Sequence, residues 1–190
     1  MTFALPLTSA LIGRSLRRWR RLNDVKQETV AAMLAVSQPT VSRWEAGRGQ
    51  LTAREKAALT RMIGARADSA ADQALVSLVA NSSEPMHLVC DLSHRLLAAS
   101  PGRLRSWRRN AVELCGLSLW SCASEDIIEA EWRLLQTGWH EAASAEMQFT
   151  TRFHDCPTLW IEPGTIVWTR IPLSNGTMAR LVRDGADRTG

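Results

Sequence analysis

Within six residues the chain carries Gln38, Thr40, Ser42 and Arg43, four side chains whose polar ends can bond the edges of nucleobases. The Gln38 amide can make a paired contact to adenine and the Arg43 fork a paired contact to guanine, while the Thr40 and Ser42 hydroxyls can reach bases or phosphates. Such contacts carry information only if the four groups stand on one rigid helix that enters the major groove by its N-terminal end. The flanking residues supply that helix. Ser37 is an N-cap residue, and Val36 and Val41 straddle it as a hydrophobic staple. Pro39 falls in the first turn, where its missing N–H is not needed. Val41 and the Trp44 ring form an apolar back face, and Ala46-Gly47 stops the helix.

Three further helices must position this one. Thr8 or Ser9 caps a first helix to about Leu22, in which Ile12, Leu16 and Trp19 form an apolar stripe at i, i+4, i+7. Arg14, Arg17, Arg18, Arg20 and Arg21 surround the stripe, and Asn23-Asp24 breaks the helix. A second helix over Gln27–Leu34 turns Val30, Met33 and Leu34 inward, with Ala31 small enough for close packing; Ala35-Val36 is the turn. A fourth helix opens on the capping box Thr52-Ala53-Arg54-Glu55 and continues through Leu59, Met62 and Ile63.

The stretch Gln27–Gly47 resembles the helix-turn-helix of the phage-repressor/Cro-like (XRE) family, and the resemblance spans roughly residues 11–63. It implies that Gln27 bonds a phosphate and buttresses Gln38, and that Arg48 meets the DNA backbone. The DNA-contacting set is then Gln27, Ser37, Gln38, Thr40, Ser42, Arg43 and Arg48. Glu45 stands outside it, because in that family an arginine seven positions before the first glutamine pairs with this glutamate, and here that arginine is Arg20. Two positions depart from the family's pattern. Ala35 occupies the turn position where glycine is usual, at a strain of about 1 kcal/mol if φ is positive. Lys26 stands where a Ser or Thr cap is usual, so the second helix starts without a side-chain cap.

Charge is divided along the chain. Residues 1–66 hold 12 Lys/Arg against 4 Asp/Glu, a net +8, while residues 67–190 hold 11 against 15, a net −4. A basic segment joined to an acidic one suits a polyanion-binding module fused to something else. Residues 64–72 are small and polar, and a short helix follows near 73–80.

The remainder changes character. Met86–Leu92 and Arg95–Ala99 read as strands around the turn Asp91-Leu92-Ser93-His94, residues 101–137 as irregular helices with the best at 125–137, its apolar residues Ile127, Ile128, Trp132 and Leu135. Met147, Phe149 and Phe153 alternate with Glu146, Gln148 and Arg152 as a third strand, and Ile166–Leu173 and Met178–Val182 form a hairpin around Asn175-Gly176. This order, with Leu88–Pro101, Glu113–Trp120 and Thr169–Leu173 before Asn175-Gly176, resembles a PAS domain. The resemblance implies dimerisation, small-molecule sensing, or both.

The fold class is therefore α + α/β: an N-terminal all-α helix-turn-helix domain of four to five helices over residues 1–66, a linker and helix over 67–84, a PAS-like α+β domain with a five-stranded antiparallel sheet over 85–184, and a disordered tail over 185–190. The expected activity is that of a transcriptional regulator, a repressor-like homodimer on a pseudo-palindromic operator in double-stranded DNA, with a small-molecule effector. An antitoxin-like interaction module that autoregulates through its helix-turn-helix is the alternative. No nucleophile–base pair, phosphate-cradling glycine loop or metal-ligand cluster stands out, so no enzyme, metal or cofactor is expected. His87, His94, His140 and His154 read as scattered surface residues. Cys90, Cys115, Cys122 and Cys156 lack CxxC spacing, so no disulfide is expected. The apolar start Met1–Ile12 precedes its arginines, the wrong order for a secretory signal, and no apolar run spans a membrane, which points to the cytoplasm.

Overall fold

The computed structural model describes residues 8–185. Most of the N-terminal apolar start and of the tail expected over 185–190 lies outside them; Gly185, at the edge, donates its N–H to the Thr165 carbonyl at 2.8 Å.

Five helices come first: α1 Ser9–Leu22, α2 Gln27–Leu34, α3 Gln38–Glu45, α4 Ala53–Ile63 and α5 Ala70–Ala80. Their starts follow the capping chemistry of the sequence. Thr8 accepts from the Leu11 N–H, Ser37 from Thr40 and Ser69 from Asp72, and Thr52 and Glu55 complete a reciprocal capping box. Lys26 makes no side-chain cap at α2. Ile12, Leu16, Val30, Val41 and Leu59 are fully buried between these helices, with Trp44 beside them. Trp19 and Leu34 pack against this core, but Met33, read as inward, is 61% exposed. The inward stripe of α2 is Val30, Ala31 and Leu34, and a short helix has no second apolar side to cover Met33.

Strands β1 Met86–Cys90 and β2 Leu96–Ala99 follow, then helices α6 Pro101–Trp107 and α7 Ala111–Leu114, a 3-10 turn Leu119–Cys122, and α8 Glu125–Leu134. The chain ends in β3 Ala145–Thr151, the short strands β4 His154–Asp155 and β5 Trp160–Ile161, β6 Gly164–Pro172 and β7 Met178–Asp184. Five strands pair antiparallel in the order β2-β1-β7-β6-β3, while β4 and β5 pair separately. The five-stranded sheet in a β-β-helices-β-β-β order is PAS-like. The β4–β5 pair carries no alternation long enough to read in sequence. Phe153 lies beyond the end of β3 and is 55% exposed, because the strand stops at Thr151.

Alternate residues on each strand serve opposite faces. Leu88 and Cys90 of β1 and Ala179 of β7 join the core that contains α1, α4 and α5, whereas Val89 and Val182 face α6, the 3-10 turn and α8. Both faces of the sheet are therefore covered, and the helix-turn-helix helices share one apolar core with the sheet. Polar contacts reinforce this docking. Asn23 Nδ2 donates to the Asn175 carbonyl at 2.8 Å, Arg95 to the Ala65 carbonyl at 2.9 Å, and Arg14 pairs with Glu141 at 3.1 Å.

Three expectations are corrected here. Cys122 and Cys156 form a disulfide, their Cα atoms 5.6 Å apart across a separation of 34 residues. Folding brings the 3-10 turn against the residue following β4, a proximity that sequence spacing does not encode. His87, His94 and His140 are not surface residues: their side chains are enclosed, His94 against Glu131 and His140 near Asp91. Trp132, read with the apolar face of α8, is 51% exposed, while Trp107, Trp120, Trp139 and Trp168 are buried.

Beneath the sheet lies a buried ion network. Arg180 donates to Asp91 at 2.8 Å and to Glu131 at 2.6 Å, and Arg170 donates to Asp91 at 2.9 Å. Trp139 Nε1 also donates to Asp91 at 3.0 Å. Burial, the largest single influence, would raise both carboxyls, but the charges around them, Arg180 foremost, joined by Arg170 at Asp91 and by His94 at Glu131, together with their hydrogen bonds outweigh it and hold both below the ordinary range. Two cations thus compensate two anions, the condition under which buried charge is tolerated.

Candidate nucleic-acid interface

Helix α3 is placed by its back face. Val41 is fully buried and Trp44 is 2% exposed, so Trp44 is unavailable to a ligand. Gly13 of α1 allows the close approach: a Cβ there would stand 1.9 Å from the Trp44 carbonyl oxygen. The sequence reading missed this glycine, although an isolated glycine in a helical stripe is the signal for such a contact.

The turn before α3 needs a left-handed residue, and Ala35 provides it at φ 53°, ψ 44°. Its N–H closes the end of α2 on Ala31 and Ala32, so the strain expected at this position is present. The same geometry recurs at Asp24, φ 52°, where α1 gives way to α2.

A chain of polar contacts then runs from the interior to the outer face. Arg20 Nε and Nη2 donate to Glu45 Oε1 and Oε2 at 2.8 and 3.0 Å, a bidentate pair. Arg20 Nη1 donates to the Val25 carbonyl at 2.9 Å, tying the α1–α2 connection to the same point. The hydrogen bond to Glu45 raises the Arg20 guanidinium above its ordinary pKa. Gln27 Nε2 donates to Glu45 Oε2 at 2.8 Å, and Gln38 Nε2 donates to Gln27 Oε1 at 2.6 Å. Glu45 is 5% exposed, so it is a structural anchor as the Arg20 pairing implied. Gln27 and Gln38 are half-buried, with the Gln38 carbonyl oxygen unspent by these bonds.

The other singled-out residues lie in α3 or directly beside it. Ser37 Oγ and Thr40 Oγ1 are 2.8 Å apart, and Arg43 Nη2 donates to Thr40 Oγ1 at 3.3 Å. Ser37 and Arg43 are exposed, Thr40 and Ser42 half-buried. Arg48 is exposed just past Gly47, whose φ of 70° ends α3, and its N–H donates to the Arg43 carbonyl at 2.9 Å. Side-chain contacts thus form two groups, Gln27 with Gln38 and Ser37 with Thr40 and Arg43; Ser42 and Arg48 are near them in sequence without sharing those bonds. Arg18 departs from the surrounding arginines: it is half-buried toward the sheet, where burial and then the Arg170 charge lower its pKa.

Fold and site together define a helix-turn-helix joined to a PAS-like domain. Residues 11–73 match a family model described as a helix-turn-helix domain. No curated protein matches the chain. Among solved structures, the PAS domain of an HTR-like protein from Haloarcula marismortui is similar at 14% identity, covering 60% of this chain and 90% of that one with a TM-score of 0.45. The LOV protein of Rhodobacter sphaeroides is similar at 16% identity over 62% of this chain and 68% of that one, TM-score 0.44. The PAS domain of BvgS from Bordetella pertussis is similar at 12% identity over 61% and 86%, TM-score 0.37. A helix-turn-helix domain suggests DNA binding. Among the described residues no helix is long and apolar enough to cross a membrane.

Proposed function

We propose that this protein is a sequence-specific transcriptional regulator of the phage-repressor/Cro-like type, in which residues 1–66 bind DNA and residues 85–184 dimerise and sense a small molecule. The observation that carries the reading is the relay Arg20–Glu45–Gln27–Gln38. It holds the first side chain of an exposed helix in one orientation, starting from a buried ion pair, and such preorganisation is what base readout requires. Gln38 and Arg43 read base edges, Ser37, Thr40 and Ser42 reach bases or phosphates, and Gln27 and Arg48 bond the backbone. A single helix-turn-helix offers few contacts, so two copies read half-sites about 34 Å apart on a pseudo-palindromic operator. Affinity falls steeply with salt as phosphate counterions are released. The test is footprinting on the operator recovered by genome-wide binding. Gln38→Ala and Arg43→Ala are expected to abolish discrimination between operator and unrelated DNA while leaving the circular-dichroism spectrum unchanged; wild-type footprints from both variants would refute the assignment of α3.

A further inference from the structure

Between the second face of the sheet, α6, the 3-10 turn and β5 lies a cavity of about 250 Å³. Protein interiors pack with few voids larger than a water molecule, so a hole of this size requires an explanation. Trp107, Trp120, Trp160 and Trp168 all line it, with aliphatic side chains such as Ile127 and Leu159 between them. It is smaller than the roughly 300–1,000 Å³ of sites for drug-sized ligands, which restricts an occupant to one or two fused rings.

Two polar groups meet on the cavity wall. Arg103 of α6 is 8% exposed and lies beside His87 of β1. Burial and the Arg103 charge push the His87 imidazole well below its ordinary pKa, so it is neutral. Arg103 Nη2 donates to the Pro85 carbonyl at 3.0 Å and to the Asp184 carboxylate at 2.5 Å. A guanidinium has five donor hydrogens. Arg103 Nε is buried without a partner, and no hydrogen bond within the described residues occupies Nη1. The His87 ring touches Trp107 edge-on at 4.7 Å and makes no side-chain hydrogen bond there.

The charges on the wall are already balanced. Arg180 is paired with Asp91 and Glu131, Arg103 with Asp184, and the remaining carboxylate, Glu162, is exposed. A charged occupant would bring an unpaired ion into a largely apolar enclosure, which is costly. What the wall lacks is an acceptor for the free Arg103 donors.

We propose that this cavity binds a small neutral aromatic molecule carrying one carbonyl or hydroxyl oxygen, its ring against the tryptophans and its oxygen on Arg103. This rests on the reading of the C-terminal half as a sensing module and names the chemical class it senses. The ring gains from apolar burial and aromatic contact, and the oxygen satisfies a donor that otherwise has none.

The full chain, labelled with ¹⁵N, is titrated by NMR with acetophenone, benzoate, ethylbenzene and 2-heptanone. These hold the ring or the carbonyl constant while changing charge, acceptor or aromaticity. Acetophenone is expected to bind about tenfold more tightly than each of the others, the effect of one well-placed hydrogen bond or its equivalent. In Arg103→Met the preference for acetophenone over ethylbenzene collapses to about unity; in Ile127→Trp, which fills the cavity, all binding is lost. The wild-type panel alone decides the matter if either variant fails to fold. Benzoate binding as tightly as acetophenone would mark an anion site, and an equal 2-heptanone affinity would remove the aromatic requirement. Equal ethylbenzene affinity would remove Arg103. Each of these overturns the ligand class while leaving a binding cavity. Absence of binding by all four probes overturns the sensing reading with it, and operator footprints, read separately, are untouched by any of these results.

Discussion

Alanine in place of glycine within a helix ordinarily stabilises it by about 1 kcal/mol, and Gly13 is where that rule should reverse. An ideal Cβ at Gly13 lies 1.9 Å from the Trp44 carbonyl oxygen and 2.6 Å from its carbon, where real Cβ atoms essentially never come closer than 3.0 Å. The obstacle is backbone in α3, which cannot rotate aside. Helix α1 must move outward by about 1 Å, and Ile12 and Leu16 then separate from Val41. Overpacking of this kind costs about 1–3 kcal/mol, with backbone clashes at the upper end. After the propensity gain, Gly13→Ala should lose roughly 1–2 kcal/mol, which for a chain of this length lowers the melting temperature by roughly 2–8 °C. The same displacement pulls Arg20 from Glu45, so operator affinity should fall as well. Gly102→Ala is the matched control: its Cβ would meet Pro85 at 3.5 Å, an ordinary contact. Urea unfolding of both variants reads the difference. A Gly13→Ala protein as stable as wild type or as Gly102→Ala would refute the claim that the α1–α3 approach depends on a missing side chain.

Glu45→Ala should destabilise the chain by about 3–5 kcal/mol in urea, because it strands a largely buried Arg20, and it should loosen Gln38 enough to blur the footprint. Ala35→Gly should raise stability by up to about 1 kcal/mol by relieving a left-handed φ, a gain visible as a higher melting temperature with an unchanged footprint. Stability should also fall on acidification in two stages. His87 and His140 are held below the ordinary histidine value, chiefly by burial, so the unfolded chain binds more protons and stability is lost as pH falls through about 6.5. For Asp91 and Glu131, burial acts to raise the carboxyls but Arg180 holds them low, so their contribution is lost below about pH 4.5. Melting curves from pH 8 to 3 check both stages, and a profile flat from pH 7 to 5.5 would contradict enclosed histidines.

The local chemistry of the N-terminal helices was readable because it depends on neighbours in sequence. Caps at Thr8, Ser37 and Thr52 satisfy donors three residues away, and the Ile12/Leu16/Trp19 stripe follows from helical period alone. Asn175-Gly176 likewise announced the hairpin of β6 and β7, with φ 76° at the glycine. Short elements were less legible: β4 and β5 hold two residues each, too few for any period.

The residues able to read DNA, their common helix and the cap that starts it are all consequences of types and spacings over a few turns of chain. The Arg20–Glu45 pair was reachable from the sequence only through family likeness; its bidentate geometry and its extension through Gln27 to Gln38 required the folded arrangement of α1, α2 and α3. The Gly13–Trp44 approach, the Cys122–Cys156 link, the Arg180 ion network and the tryptophan-walled cavity are contacts between residues far apart in sequence. Periodicity reports which side of an element is buried, but not what it is buried against, and that information exists only once the sheet and its helices have closed on one another.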